Sequence, residues 1–108
     1  MYAFAGCSLI YKMQLDGDLL KSIGYGAFSS TSMQELTFMF DDAESKQDEC
    51  RSKIIDAIGY DELSNPNPLE LPEDCVIIVK SKGSNVICGK YDYMMNDLMN
   101  ADIDINRN

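Results

Sequence analysis

A chain of 108 residues with 45% apolar side chains fits one domain with its own core and is too apolar to stay disordered. Eighteen acids against nine bases give a net charge of −9 and a pI near 4.2, which argues against direct contact with nucleic acid or an anionic membrane, since both demand a cationic surface. The longest apolar run, Cys75–Val79, falls far short of the ~20 residues of a membrane span, and no basic stretch precedes the apolar residues at the N-terminus, so the expected setting is cytoplasmic.

The first periodic segment is Ser8–Leu15. Leu9, Tyr11, Met13 and Leu15 fall on one face and Ser8, Lys12 and Gln14 on the other, with Ile10 the exception, as in a half-buried strand. Asp16-Gly17-Asp18 reads as a turn, with Asp18 placed to cap a short helix through Leu19, Leu20 and Ile23 that Gly24 and Gly26 would end. Beyond the polar loop Ser29–Ser32, Glu35–Phe40 alternates again, with Leu36, Phe38 and Phe40 pointing one way. This is a second strand.

The clearest helix follows directly. Asp41 or Asp42 is positioned as its N-cap, acids crowd its first turn and Gly59 stands at its C-terminal stop. At 100° per residue, Ala43, Cys50, Ile54, Ala57 and Ile58 gather in one stripe. Residues 61–74 form a long connection, because Pro66 and Pro68 each remove an N–H and push the preceding residue toward extended geometry. Leu69 and Leu71 are placed to pin it to the core, and connections of this length are often functional.

Cys75–Lys80 and Asn85–Tyr91 read as two strands joined by Ser81-Lys82-Gly83-Ser84 in a hairpin. The first is apolar on both faces and belongs in the centre of a sheet. Met94, Met95, Leu98 and Met99 recur at helical spacing after a possible cap at Asp92, and residues 101–108 read as a frayed tail. The order β-α-β-α-loop-β-β-α is expected to fold as one α+β domain over 1–108. It would be a two-layer unit with an approximately four-stranded antiparallel or mixed sheet and helices on one face.

Little in the inventory suits catalysis. There is no histidine, the commonest general base near neutral pH. Cys7, Cys50, Cys75 and Cys88 lie in apolar stretches that disfavour a thiolate, without CxxC spacing, and read as buried reduced thiols ahead of two disulfides. Gly24-Tyr25-Gly26 lacks the spacing and the basic residue of a phosphate-binding loop, and the acids lack the spacing of an EF-hand. The sequence is read as a non-enzyme that needs no cofactor or metal. The methionines at 94, 95 and 99 suit gap-filling core at least as well as an adaptable binding surface.

Charge distribution is the informative feature. Residues 41–74 hold eleven acids and only Lys46, Arg51 and Lys53, a local net of −8, while the rest of the chain holds seven acids and six bases. Asp42–Lys46 and Glu49–Lys53 have the spacing of helical ion pairs, but Glu44 and Asp48 at the same spacing repel. Carboxylates beyond a helix C-terminus also oppose the macrodipole. Glu44, Asp48, Asp56, Asp61, Glu62, Glu70, Glu73 and Asp74 are therefore the candidate partner-binding residues, with solubility alone as the competing explanation. Clustered carboxylates steer association with a basic surface. The expected partner is a basic protein that handles nucleic acid, such as a nuclease or toxin. That places the chain as an immunity protein against a bacterial nuclease toxin. The alternatives are a phage-encoded inhibitor of a host defence nuclease, resembling anti-CRISPR proteins in size and charge, and a homodimeric interaction module whose acidity is incidental. Both monomer and homodimer are open at this stage.

Overall fold

In the computed structural model, residues 6, 9–24, 26–61, 63–93 and 98 are described. Four strands and one helix are formed among them: β1 (Lys12–Asp16), β2 (Glu35–Phe40), α1 (Gln47–Ile58), β3 (Val76–Ser81) and β4 (Ile87–Asp92). The strands lie side by side in the order β1-β2-β3-β4. β1 pairs parallel with β2, β2 parallel with β3, and β3 antiparallel with β4. The sheet is mixed, and the class is α+β.

Register explains which side of the sheet is filled. Met13, Leu36, Ile77 and Tyr91 lie in one row across the four strands, and Leu15, Phe38, Val79 and Gly89 in another. Because side chains alternate along a strand, these rows share a face, and Leu36, Phe38, Phe40, Ile77 and Val79 are all buried there. The buried side of α1, with Cys50, Ile54 and Ile58, joins the same cluster. So do Ala27, Phe28 and Met33 from the connection between β1 and β2, and Leu69 and Leu71 from the connection between α1 and β3. One core forms on one face of the sheet.

The fold departs from several expectations. The short helix after Asp18 does not form: residues 18 and 19 lie in a turn and 20–24 in no regular element. Long-range main-chain bonds are made instead, with Ile23 N donating to Ala57 O at 2.9 Å and, just beyond, Gly26 N to Pro68 O at 2.7 Å. The Ile23 N–H is thereby committed to α1 and not to a carbonyl of its own segment. The first strand starts later than expected, at Lys12, and Leu9 is 82% exposed. Neither Asp41 nor Asp42 caps α1, which begins after Lys46 without a side-chain cap. Asp42 closes the preceding turn, accepting from Ser45 N at 3.2 Å and from Ser45 Oγ. At the other end the expectation holds: Gly59 adopts φ 72° and donates to the carbonyls of Ile55 and Asp56, a left-handed stop that glycine enters at no steric cost.

Strands β2, β3 and β4 lie within two residues of their expected bounds, and β3 is interior. The methionine-rich helix expected near 94–99 lies outside the described residues except for Leu98, which is buried. The tail 101–108 also lies outside them. Among the described residues, no helix is long and apolar enough to cross a membrane.

Candidate functional site

The helix α1 sets the direction in which charge is displayed. Its buried positions are Cys50, Arg51, Ile54, Ala57 and Ile58. Asp48, Ser52 and Asp56 are spaced by four and form one exposed row on the outer side, with Glu49 exposed beside Asp48. Glu44, in the turn before the helix, is exposed as well. No basic residue stands in the last turn.

The cations of this stretch are placed differently: Lys46 is exposed just before the helix, whereas Arg51 and Lys53 are drawn toward the interior. Arg51 is only 4% exposed, and its Nε donates to Leu98 O at 3.0 Å. Its Nη1 lies 3.5 Å from Asp48 Oδ1, yet the Asp48 side chain stays 75% exposed. Lys53 Nζ donates to the Asp18 carbonyl at 2.8 Å, so its charge is drawn toward the sheet. Arg51 thus meets Asp48 from the buried side, while the Asp48, Glu49 and Asp56 side chains stay exposed on the outer side of α1. Arg51 was not foreseen as a buried residue, because a cation within the apolar stripe offers no periodic signal.

The loop carboxylates differ among themselves. Asp61 is exposed and closes its own turn: Oδ1 accepts from Leu63 N at 2.9 Å and Ser64 N at 3.1 Å, and those bonds hold its carboxyl below the ordinary carboxylate value. Glu62 lies outside the described residues. Glu73 and Asp74 are exposed in the turn leading into β3. Glu70 behaves otherwise. It is half-buried, sits at φ 53° and accepts from Ser29 Oγ at 3.2 Å, so it is turned toward the connection before β2.

Topology separates these acids into two groups. α1 leaves the C-terminal end of β2 and returns to the N-terminal end of β3, and a helix of 12 residues spans about 18 Å. Glu44 and Asp48 therefore stand at one end of the layer, and Asp61, Glu70, Glu73 and Asp74 at the other, with Asp56 between. The display is an acidic stripe along α1 with a second acidic patch beyond its end, instead of one lobe of eight.

A second charged cluster had no sequence signature, because its members are far apart in the chain. Lys82 Nζ lies 3.0 Å from Asp16 Oδ1, 2.9 Å from Asp18 Oδ2 and 3.4 Å from Asp41 Oδ1. The Asp16 carboxylate also accepts from Asp18 N at 3.0 Å, and Asp18 Oδ2 from Asp41 N at 2.8 Å. Hydrogen bonds to the Lys82 ammonium, first of all, hold both Asp16 and Asp18 below the ordinary carboxylate value. The same bonds push the Lys82 ammonium above its ordinary value. Next to the cluster lies a cleft of about 300 Å³ between the α1 N-terminus and the sheet, lined by Asp18, Phe40, Asp41, Asp42, Lys46, Glu49, Cys50 and Lys53.

Cys50 and Cys75 are buried and free, and burial raises both thiols, Cys75 to about 12. Among the described residues, no group of three or more Cys, Asp or Glu side chains is arranged to hold a metal ion. The arrangement can present fixed negative charge to a cationic surface. No family model, no curated protein and no solved structure matches the chain.

Proposed function

We propose that this chain is a non-catalytic binding protein that captures a basic, nucleic-acid-acting partner and blocks its cationic groove, acting as an immunity protein toward a nuclease toxin. The observation that carries the reading is the exposed carboxylate row of α1, with Glu44 before it, while Lys53 is drawn to Asp18 O and Arg51, which meets Asp48 from the buried side, to Leu98 O. Carboxylates on a rigid helix can stand in for the phosphates that such a groove is built to hold, and they raise the association rate most strongly at low salt. The exposed pair Glu73 and Asp74 gives the same partner a second point of attachment.

Charge reversal tests this. Tagged wild-type chain and an Asp48→Lys/Asp56→Lys variant are used to capture proteins from the native host, and the bound proteins are identified by mass spectrometry. Both side chains are exposed, and because Asp48 also meets the buried Arg51, circular dichroism of the variant and a parallel Asp56→Lys single variant separate loss of charge from loss of fold. The expected result is a basic, nucleic-acid-acting protein held by wild type, released by salt and lost from the variant, with association slowed by roughly tenfold or more. Equal capture by both chains, or capture indifferent to salt, would sink the proposal.

A further inference from the structure

The outer edge of β1 carries information of a different kind. β1 pairs with β2 on one side, and among the described residues no strand lies on its other side. Tyr11 O accepts from Gln34 N at 2.6 Å and Glu35 N at 3.2 Å, and Gly17 N donates to Met39 O at 2.6 Å. The odd-numbered residues of β1 thus direct their main-chain groups to β2. Alternation then turns the N–H and C=O of Lys12, Gln14 and Asp16 outward. The edge carries no proline, glycine or bulge within Lys12–Asp16 to discourage another strand. The exposed large apolar side chains Leu9, Tyr11 and Leu19 lie within three residues of its ends.

The sequence of this edge is complementary to itself. Run antiparallel to a second copy about Gln14, Lys12-Met13-Gln14-Leu15-Asp16 sets Lys12 opposite Asp16 of the copy and Asp16 opposite its Lys12. Met13 meets Leu15 twice on the core side, and Gln14 meets Gln14. The outward-facing residues are the ones this register pairs directly, so the main-chain bonds and the charges agree on one alignment. A parallel alignment in register would oppose Lys12 with Lys12 and Asp16 with Asp16. A slip of one residue would turn apolar side chains to the wrong face. Within the protomer Lys12 Nζ already lies 3.0 Å from Glu35 Oε2, and Asp16 lies 3.0 Å from Lys82. Pairing would extend these into a row of alternating charge: Glu35, Lys12, then Asp16 and Lys82 of the second copy.

From this geometry we propose that β1 is a homodimerisation edge, joining two copies about a twofold axis through Gln14 into a continuous eight-stranded sheet. A closed twofold contact of this kind is isologous, and its axis stands perpendicular to the sheet. Both α1 helices lie on the same side of the joined sheet, so the dimer presents two acidic rows in one direction. The inference is independent of the partner proposed above.

Sedimentation velocity and native mass spectrometry on the full chain test it. Wild type is expected to dimerise with concentration. Lys12→Asp and Asp16→Lys each oppose like charges across the edge and are expected to weaken the dimer by roughly tenfold or more. Mixed together, these two variants have complementary edges and are expected to form a heterodimer. Gln14→Pro removes an outward N–H without touching the β1–β2 ladder and is expected to give a folded monomer by circular dichroism. A wild type that stays monomeric at high concentration overturns the proposal. So does a dimer that survives all three substitutions, or a mixture of the charge variants that stays monomeric.

Discussion

Lys82 Nζ lies 2.9 Å from Asp18 Oδ2, which ties the turn between β3 and β4 to the turn that follows β1, across the C-terminal ends of the parallel strands. Asp16 and Asp41 complete the clamp, and Lys82 N donates to Phe40 O at 2.8 Å. The connection between β1 and β2 contains no helix among the described residues, so this ion cluster and the main-chain bonds to Ala57 and Pro68 fix its course.

The clamp makes stability depend on pH in a defined window. Asp16 and Asp18 titrate below their ordinary value of 3.8 in the fold, so they contribute stability above that value and lose it as pH falls through their folded values. Lys82 titrates above its ordinary 10.5, so its contribution is complete below that value and is lost as pH climbs beyond it. Replacing Lys82 by Met leaves three carboxylates facing one another. The Tm difference between wild type and Lys82→Met is expected to be largest between about pH 5 and 9 and to shrink below about pH 4. A difference that stayed constant into acid would show that the clamp does not act through these charges.

Gly17 is the close-approach point beneath this cluster. A Cβ added there would overlap the ring of Phe40, which is 3% exposed and held in the core. Phe40 belongs to the core cluster and also lines the cleft beside α1, so moving its ring to make room would disturb core packing. Gly17→Ala is expected to destabilise by about 1–3 kcal/mol, as overpacking usually does. Combining it with Phe40→Leu should recover part of the loss. Urea denaturation of the four proteins measures the coupling; strict additivity would show that the two side chains do not meet.

Much of the sheet was legible because its strands announce themselves locally. Glu35–Phe40 alternates and Cys75–Val79 is apolar on both faces, and burial on an interior strand accounts for each pattern. The α1 stop at Gly59 was legible for the same reason: a left-handed residue is a local requirement. What failed depended on distant partners. Leu19, Leu20 and Ile23 imitate a helix stripe, but Ile23 N finds Ala57 O, and Leu19 is exposed. Parallel pairing of β1 with β2 follows from the long connection between them, and no residue within either strand encodes it. For the candidate site, the exposed acids along α1 were read from the sequence. The inward turn of Glu70, the burial of Arg51 and the gathering of Asp16, Asp18 and Asp41 around Lys82 arise from tertiary geometry alone.

Thiol chemistry offers a check on the burial pattern. Cys50 and Cys75 are buried and their thiols are raised, whereas Cys88 is half-buried on an edge strand. Alkylation near neutral pH followed by peptide mapping should therefore modify Cys88 before Cys50 or Cys75, since only the thiolate reacts and access is required. Cys75 should become reactive only when the protein is unfolded. Rapid native-state labelling of Cys75 would contradict its place in the core.

Among the bonds that anchor the connection from α1 to β3 is one to a buried hydroxyl. Tyr93, 7% exposed, accepts the Leu69 N–H at its phenolic oxygen at 3.2 Å, and Leu69 itself is fully buried. Burial is the main reason the Tyr93 phenol titrates above its ordinary value, so it remains neutral and available as an acceptor through the whole working pH range. Tyr93→Phe keeps the ring packing and removes only the acceptor, leaving a buried N–H without a partner. The expected cost is about 1–3 kcal/mol, the penalty of an unsatisfied buried donor. Hydrogen exchange should locate that cost, with protection lost at Leu69 and its neighbours before the β2–β3 ladder is affected. Because Glu73 and Asp74 follow on the same connection, a Tyr93→Phe protein that keeps its sheet but loosens residues 63–74 would also report how far their display depends on this bond. Unchanged protection at Leu69 would mean that the hydroxyl does not hold the connection.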